Sequence, residues 1–158
     1  MREIHLIDTS VFCCILRVPG MCSTEQQQQM RSELNQLVGR PGISLLLPVA
    51  TIYETGNHIA HAPTNRLTVA QQFAAFVGAG LTSQPPWALT PLPNHAQMGA
   101  WLAEFPARAD AQVGLGDLSI IKTFEEQCAQ FPTYRVRIWS IDEHLSSYDR
   151  VPAGSLFT

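Results

Sequence analysis

The strongest constraint on this chain is the alternation of short apolar runs with longer segments of helical character. The runs "EIHLI" (3–7), "ISLLLP" (43–48) and "RVRIWSI" (135–141) have strand length, and a shorter piece at 87–90 reads as another. "ISLLLP" is apolar without a break, as a strand covered on both faces must be. "RVRIWSI" instead alternates Val136 and Ile138 with Arg135, Arg137 and Trp139. Between the strands, apolar spacing and caps predict helices over 9–17, from Ser23 or Thr24 to 38, over 50–61 and 65–78, from an Asn94 cap to 105, and from near Asp117 to 130. The tail "GSLFT" (154–158) is a candidate last strand. Strands separated by helices require crossover connections, which give parallel neighbours with helices packed on both faces. The expected fold is therefore a three-layer α/β/α domain spanning residues 1–158, with a mostly parallel central sheet of four to five strands. In such sheets ligands gather outside the carboxyl ends of the strands.

Composition narrows the classes further. A 46% hydrophobic content with 15% charged residues describes a folded chain and excludes a disordered one. The longest apolar stretch, "ISLLLPVATIY" (43–53), is too short to span a bilayer and is interrupted by Pro48. Glu3 and Asp8 interrupt the N-terminus before any leader-like core develops. The expectation is a cytoplasmic protein without membrane attachment. Cys13, Cys14, Cys22 and Cys128 form no CxxC pair, so they read as buried, reduced thiols. Lys122 is the only lysine among ten basic residues, and the net charge is −3. That balance excludes a protein that coats nucleic acid through a broad basic face, though not a local arginine patch. The run "QQQQ" (26–29) reads as a solvated helix face.

Against this frame, four acids take positions of interest. Asp8 follows the first strand, Glu54 lies on the helix leaving the second, Asp117 opens the helix after "GLG", and Asp142 follows "RVRIWSI". Three of these are each explicable as a helix cap; Glu54, inside a helix, is not. Four carboxylates crowded together repel, raising at least one pKa unless a cation neutralises them. Hard oxygen ligands of this kind select Mg²⁺ or Mn²⁺. Such ions activate water for displacement at a phosphodiester and stabilise the charge that builds on the leaving oxygen.

The segments "HLIDTSVF" (5–12), "LLPVATIYETGNHI" (46–59), "GLGDLSIIKTF" (114–124) and "VRIWSIDEHL" (136–145) resemble, in order and spacing, the PIN-domain family of metal-dependent nucleases, including VapC-type toxins. By that resemblance Asp8, Glu54, Asp117 and Asp142 correspond to the family's acidic quartet. Ser140 corresponds to its small hydroxyl residue two positions before the last acid, and Thr9 and Ser10 to its polar pair. The last motif, commonly threonine-x-aspartate, is Ser140-Ile141-Asp142 here, which keeps the hydroxyl. The resemblance implies a Mg²⁺- or Mn²⁺-dependent endoribonuclease acting on RNA through metal-activated water, with these five residues as catalytic machinery. It also implies a toxin–antitoxin role, a cognate antitoxin as partner, and a homodimer.

Other arrangements compete. A PIN-like module that binds RNA with little turnover fits the low basic charge. Glu54, His58 and His61 share one helical face and form a candidate transition-metal set, although the spacing is not HExxH. Asp110 is a candidate supporting acid, Arg17, Arg40, Arg66, Arg108, Arg135 and Arg137 are candidate phosphate contacts, and Trp87, Trp101 and Trp139 are candidate stacking residues. A phosphotransfer receiver would need its lysine in a loop at a strand end, whereas Lys122 falls within a predicted helix.

Overall fold

The structure, a computed structural model, describes residues 1–153. In chain order the elements are β1 (Glu3–Ile7), α1 (Thr9–Leu16), α2 (Thr24–Val38), β2 (Ile43–Leu47), α3 (Val49–Ala60), α4 (Arg66–Leu81), β3 (Trp87–Leu89), α5 (His95–Asp110), α6 (Leu115–Gln130), β4 (Arg135–Trp139), α7 (Glu143–Ser146) and β5 (Asp149–Arg150). The strands form one sheet in the order β3-β2-β1-β4-β5. All neighbours are parallel except β4 and β5. The α/β alternation thus yields a mostly parallel sheet with helices on both faces, consistent with a three-layer arrangement. The candidate strand at 154–158 lies outside the described residues, and the antiparallel edge comes instead from Asp149–Arg150.

β1 is the central strand, and all five of its residues are buried. Its two faces differ in chemistry. Leu6 packs with Ile138 of β4 and Ile120 and Ile121 of α6 in one apolar cluster. Ile7 and Trp139 join the larger core on the opposite face, built with α1, Met30 and Leu37 of α2, Ile59 of α3 and Val69 of α4. Phe12 packs edge-on against Trp87 there, with ring centroids 5.7 Å apart. Nearer the start of the same face, Glu3 and His5 stand opposite Arg135 and Arg137. His5 is 1% exposed and Glu3 5%, so this polar stretch is buried and internally paired.

Several boundaries depart from expectation for local reasons. β4 ends at Trp139 because the Ser140 hydroxyl is bonded to Asp8 and to the Asp142 amide, which turns the chain off the sheet. α5 runs through Pro106 to Asp110, the proline lying on the exposed side of the helix. α6 begins at Leu115 with Gly114 as its N-cap, so Asp117 sits in the first turn and is not the cap.

The expectation of four reduced thiols is corrected. Cys14 and Cys22 form a disulfide across a separation of eight residues, with Cα atoms 5.6 Å apart. Cys14 lies in the last turns of α1, and Arg17 and Gly20, both at positive φ, fold the following loop back onto the helix. Neighbouring residues on a helix point about 100° apart, so of the adjacent pair only Cys14 faces that loop. Cys13 and Cys128 are free. No helix among the described residues is long and apolar enough to cross a membrane.

Candidate functional site

The carboxyl end of β1 delivers Asp8 directly into α1. Its backbone is extended and its amide bonds to the Trp139 carbonyl at 3.0 Å, so the residue is locked between the two central strands. Asp8 is 5% exposed and caps α1. Its Oδ2 accepts from the Ser10 hydroxyl at 2.8 Å, the Ser140 hydroxyl at 2.8 Å and the Ser10 amide at 3.3 Å. Each serine has one hydroxyl proton. With both protons aimed at Oδ2, the 3.2 Å approach of the two serine oxygens is a close contact between acceptors. Ser10 Oγ accepts from the Ile141 amide and Ser140 Oγ from the Asp142 amide, both at 3.0 Å. The two hydroxyls therefore tie the N-terminus of α1 to the turn after β4, with three donors on one oxygen of Asp8. Among the described residues, Oδ1 accepts none of the hydrogen bonds.

Glu54 follows the same pattern. α3 carries it toward β1, where Oε2 accepts from Thr9 Oγ1 at 2.9 Å, across 45 residues of sequence. Thr51, one turn earlier, donates to the Ile7 carbonyl at 2.7 Å and seats α3 on the end of β1. The other oxygen, Oε1, lies against Gly116, where a Cβ would overlap it. A larger residue there would push the Glu54 carboxylate out of its present position. Asp142 caps the short helix α7 through Oδ1, which accepts from the Leu145 amide at 3.1 Å. Asp8, Glu54 and Asp142 each commit one oxygen to the fold.

Asp117 shows what this grouping costs. Its carboxyl is pushed up to about 6, first by burial and then by the negative charges of Asp8, Glu54 and Asp142, with His144 acting in the opposite sense. Its place in the first turn of α6, where a helix favours negative charge, does not offset them. Asp117 is therefore an electrostatic neighbour of each of the other three acids. Among the described residues, no three His, Cys, Asp or Glu side chains stand together as a ready coordination set. The chemistry nevertheless suits a hard cation: the donors are oxygens, Asp8 is buried, Glu54 and Asp117 are half-buried, Asp142 is exposed, and three of the four are oriented through one oxygen each.

The remaining candidates fall outside this group or into ordinary roles. His61 Nδ1 donates to its own helix at the Asn57 carbonyl, 2.8 Å away. Asp110 is exposed at the end of α5. Lys122 is paired with Glu104 and Glu125 on the helical surface. Arg108 holds Glu104, and Arg66 bonds the Ala62 carbonyl. Trp87, Trp101 and Trp139 are all buried. Two features escaped the sequence reading. Gly116 was visible only as part of "GLG". The Glu3–His5 pair was hidden in an otherwise apolar strand, although its register partners Arg135 and Arg137 alternate in step with it.

Comparison of the chain with family models, with curated proteins and with solved structures gives no significant match.

Proposed function

We propose that this chain is a PIN-like, Mg²⁺- or Mn²⁺-dependent endoribonuclease. The observation that carries the reading is the common design of the acids. Each of Asp8, Glu54 and Asp142 is fixed by a hydrogen bond at one oxygen, and Asp117 is held beside them at a raised pKa. A fold stabilised only by caps has no use for a fourth carboxylate that three others destabilise. Asp8, Glu54, Asp117 and Asp142 would hold the cation, and Ser140 and Ser10 keep Asp8 aimed by donating to Oδ2. Thr9 holds the Glu54 carboxylate in place by donating to Oε2. Asp117 binds a proton over the pH range just below neutrality and releases it as the site fills with positive charge. When bound, the ion supplies an activated water and stabilises the charge that develops on the leaving oxygen of the phosphodiester. No side chain need act as nucleophile.

The resemblance of the motifs to VapC-type toxins extends the proposal to a cytoplasmic toxin working as a homodimer and restrained by a cognate antitoxin. The net charge of −3 supports one alternative, a PIN-like module that binds RNA with little turnover. Both are tested by incubating the purified chain with RNA in Mg²⁺ or Mn²⁺. Cleavage that disappears with Asp8→Asn supports the nuclease. Binding without product favours the module, and cleavage surviving Asp8→Asn overturns the assignment of the site.

A further inference from the structure

α2 does not seal the face of the sheet it covers. Along it, Gln26, Gln29, Glu33 and Gln36 recur at helical spacing, on a stripe distinct from the apolar one carried by Met30 and Leu37. This polar stripe faces two connected clefts. One, about 450 Å³, lies over Glu3, His5, Arg40, Arg135 and Arg137; the other, about 290 Å³, lies over Arg137, Trp139, Ser140 and Ile141. Gln29, Glu33 and Arg137 line both, so the two adjoin as one groove narrowed at its middle by the Arg137–Glu33 pair. It starts at Ser140, a residue of the acid site, and follows β4 back to Arg135, roughly 17 Å at strand rise.

The floor of the groove is an array of guanidinium groups held by the buried Glu3 and His5 and by the more exposed Glu33 and Asp149. Arg137 Nε donates to His5 Nδ1 at 2.7 Å, and its Nη2 donates to Glu33 at 2.6 Å. His5 Nε2 in turn donates to Glu3 at 2.9 Å, which fixes the imidazole as the neutral tautomer protonated on Nε2. Arg40 reaches Glu3 at 2.9 Å with a side chain 56% exposed, and Arg135 is bidentate on Asp149. Burying Glu3 and His5 is costly for the sheet compared with apolar residues. What it gains is a row of cations in fixed orientation. Their charges are balanced by carboxylates, yet their donors are not exhausted: Arg137 uses two of its five N–H groups in these bonds. Trp139 is 3% exposed, so the groove offers no ring face for a base to stack on.

We propose that this groove binds the sugar–phosphate backbone of the single-stranded RNA segment running away from the acid site. The inference rests on the nuclease reading above. Guanidinium, amide and hydroxyl donors suit phosphate and ribose oxygens, and the lack of an accessible aromatic face makes the contact independent of base identity. Glu33 competes with phosphate for Arg137 and thereby restrains affinity.

The test measures binding of a short, labelled single-stranded RNA by the full chain in Mg²⁺ across a salt series. Variants are built on Asp8→Asn so that the RNA stays intact. Gln29→Glu, which places a negative charge midway along the groove, should weaken binding roughly three- to tenfold at low salt. Arg40→Gln should flatten the slope of log affinity against log salt by ~0.7, the loss of one single-strand phosphate contact. Glu33→Gln should tighten binding severalfold. Unchanged binding in all three variants, with melting curves showing intact folds, overturns the groove. If the unmodified chain still cleaves RNA with metal, the groove alone fails. If it does not cleave but the variants shift binding in these directions, the groove stands and the hydrolytic reading falls.

Discussion

Asp117→Asn tests whether the acids crowd Asp117 and whether they share a metal, because its effect on stability should change sign when a divalent cation is added. In the folded protein the carboxyl is raised from 3.8 to about 6. An acid raised on folding binds its proton more tightly in the native state. It therefore adds stability as pH falls through 6 toward 4 and costs stability at neutral pH, where it is ionised in both states. At ~1.4 kcal/mol per pH unit, the full shift corresponds to roughly 3 kcal/mol. Asp117 is only about half buried, and solvent screening reduces this to ~1–2 kcal/mol. The replacement also gives up a favourable charge at the start of α6, worth ~0.5 kcal/mol. Without divalent metal at pH 7, Asp117→Asn should thus be more stable than the parent by ~1 kcal/mol, or ~2–4 °C in Tm. Metal reverses the order. At a concentration of about a hundred times Kd, Mn²⁺ adds ~2.7 kcal/mol to a protein that binds it. The variant, lacking one ligand, gains little. Thermal melts with EDTA and with Mn²⁺ should therefore cross. A variant less stable than the parent in EDTA, or equal stabilisation of both by Mn²⁺, refutes the reasoning.

Other substitutions probe the supports of the site. Gly116→Ala should lower metal affinity and cleavage at least tenfold with little loss of stability, since the new Cβ displaces only the flexible Glu54 carboxylate it would overlap; calorimetric titration with Mn²⁺ reads the first effect and urea unfolding the second. His5 is lowered to about 4 by burial and by Arg137, against the pull of Glu3, so its contribution is complete above pH 6.5 and is lost as pH falls toward 4. Asp117 acts in the opposite sense over the same window, so acid unfolding followed by urea titration should be steeper in Asp117→Asn than in the parent. Reduction of the Cys14–Cys22 bridge should cost about 2–3 kcal/mol from loop-closure entropy; dithiothreitol should lower the Tm of the parent and leave that of Cys14→Ser unchanged.

The architecture was legible because strand and helix periods differ so plainly. The unbroken apolar run of β2 and the alternation in β4 each specify burial, and the helices between them leave few topologies open. Ends were less legible, since they depend on partners distant in sequence. Ser140 leaves the sheet through bonds to Asp8, 132 residues away, and nothing local in "WSIDE" announces it. The structure places Asp8, Glu54 and Asp142 within electrostatic reach of Asp117, a grouping that chain order and strand ends could suggest. What keeps them there was hidden. Thr9 stood out only as one of a polar pair and Gly116 only as part of "GLG", yet one bonds Glu54 and the other lies against it. The disulfide was obscured by the doublet Cys13-Cys14, because adjacency in sequence says nothing about which thiol faces the loop.

The central claim is that the four acids form one cation site. Crystals soaked in Mn²⁺ and measured at the manganese absorption edge test it most directly. The account predicts anomalous density bounded by Asp8, Glu54, Asp117 and Asp142. Density beside His58 and His61, or none among the acids at saturating Mn²⁺, contradicts it.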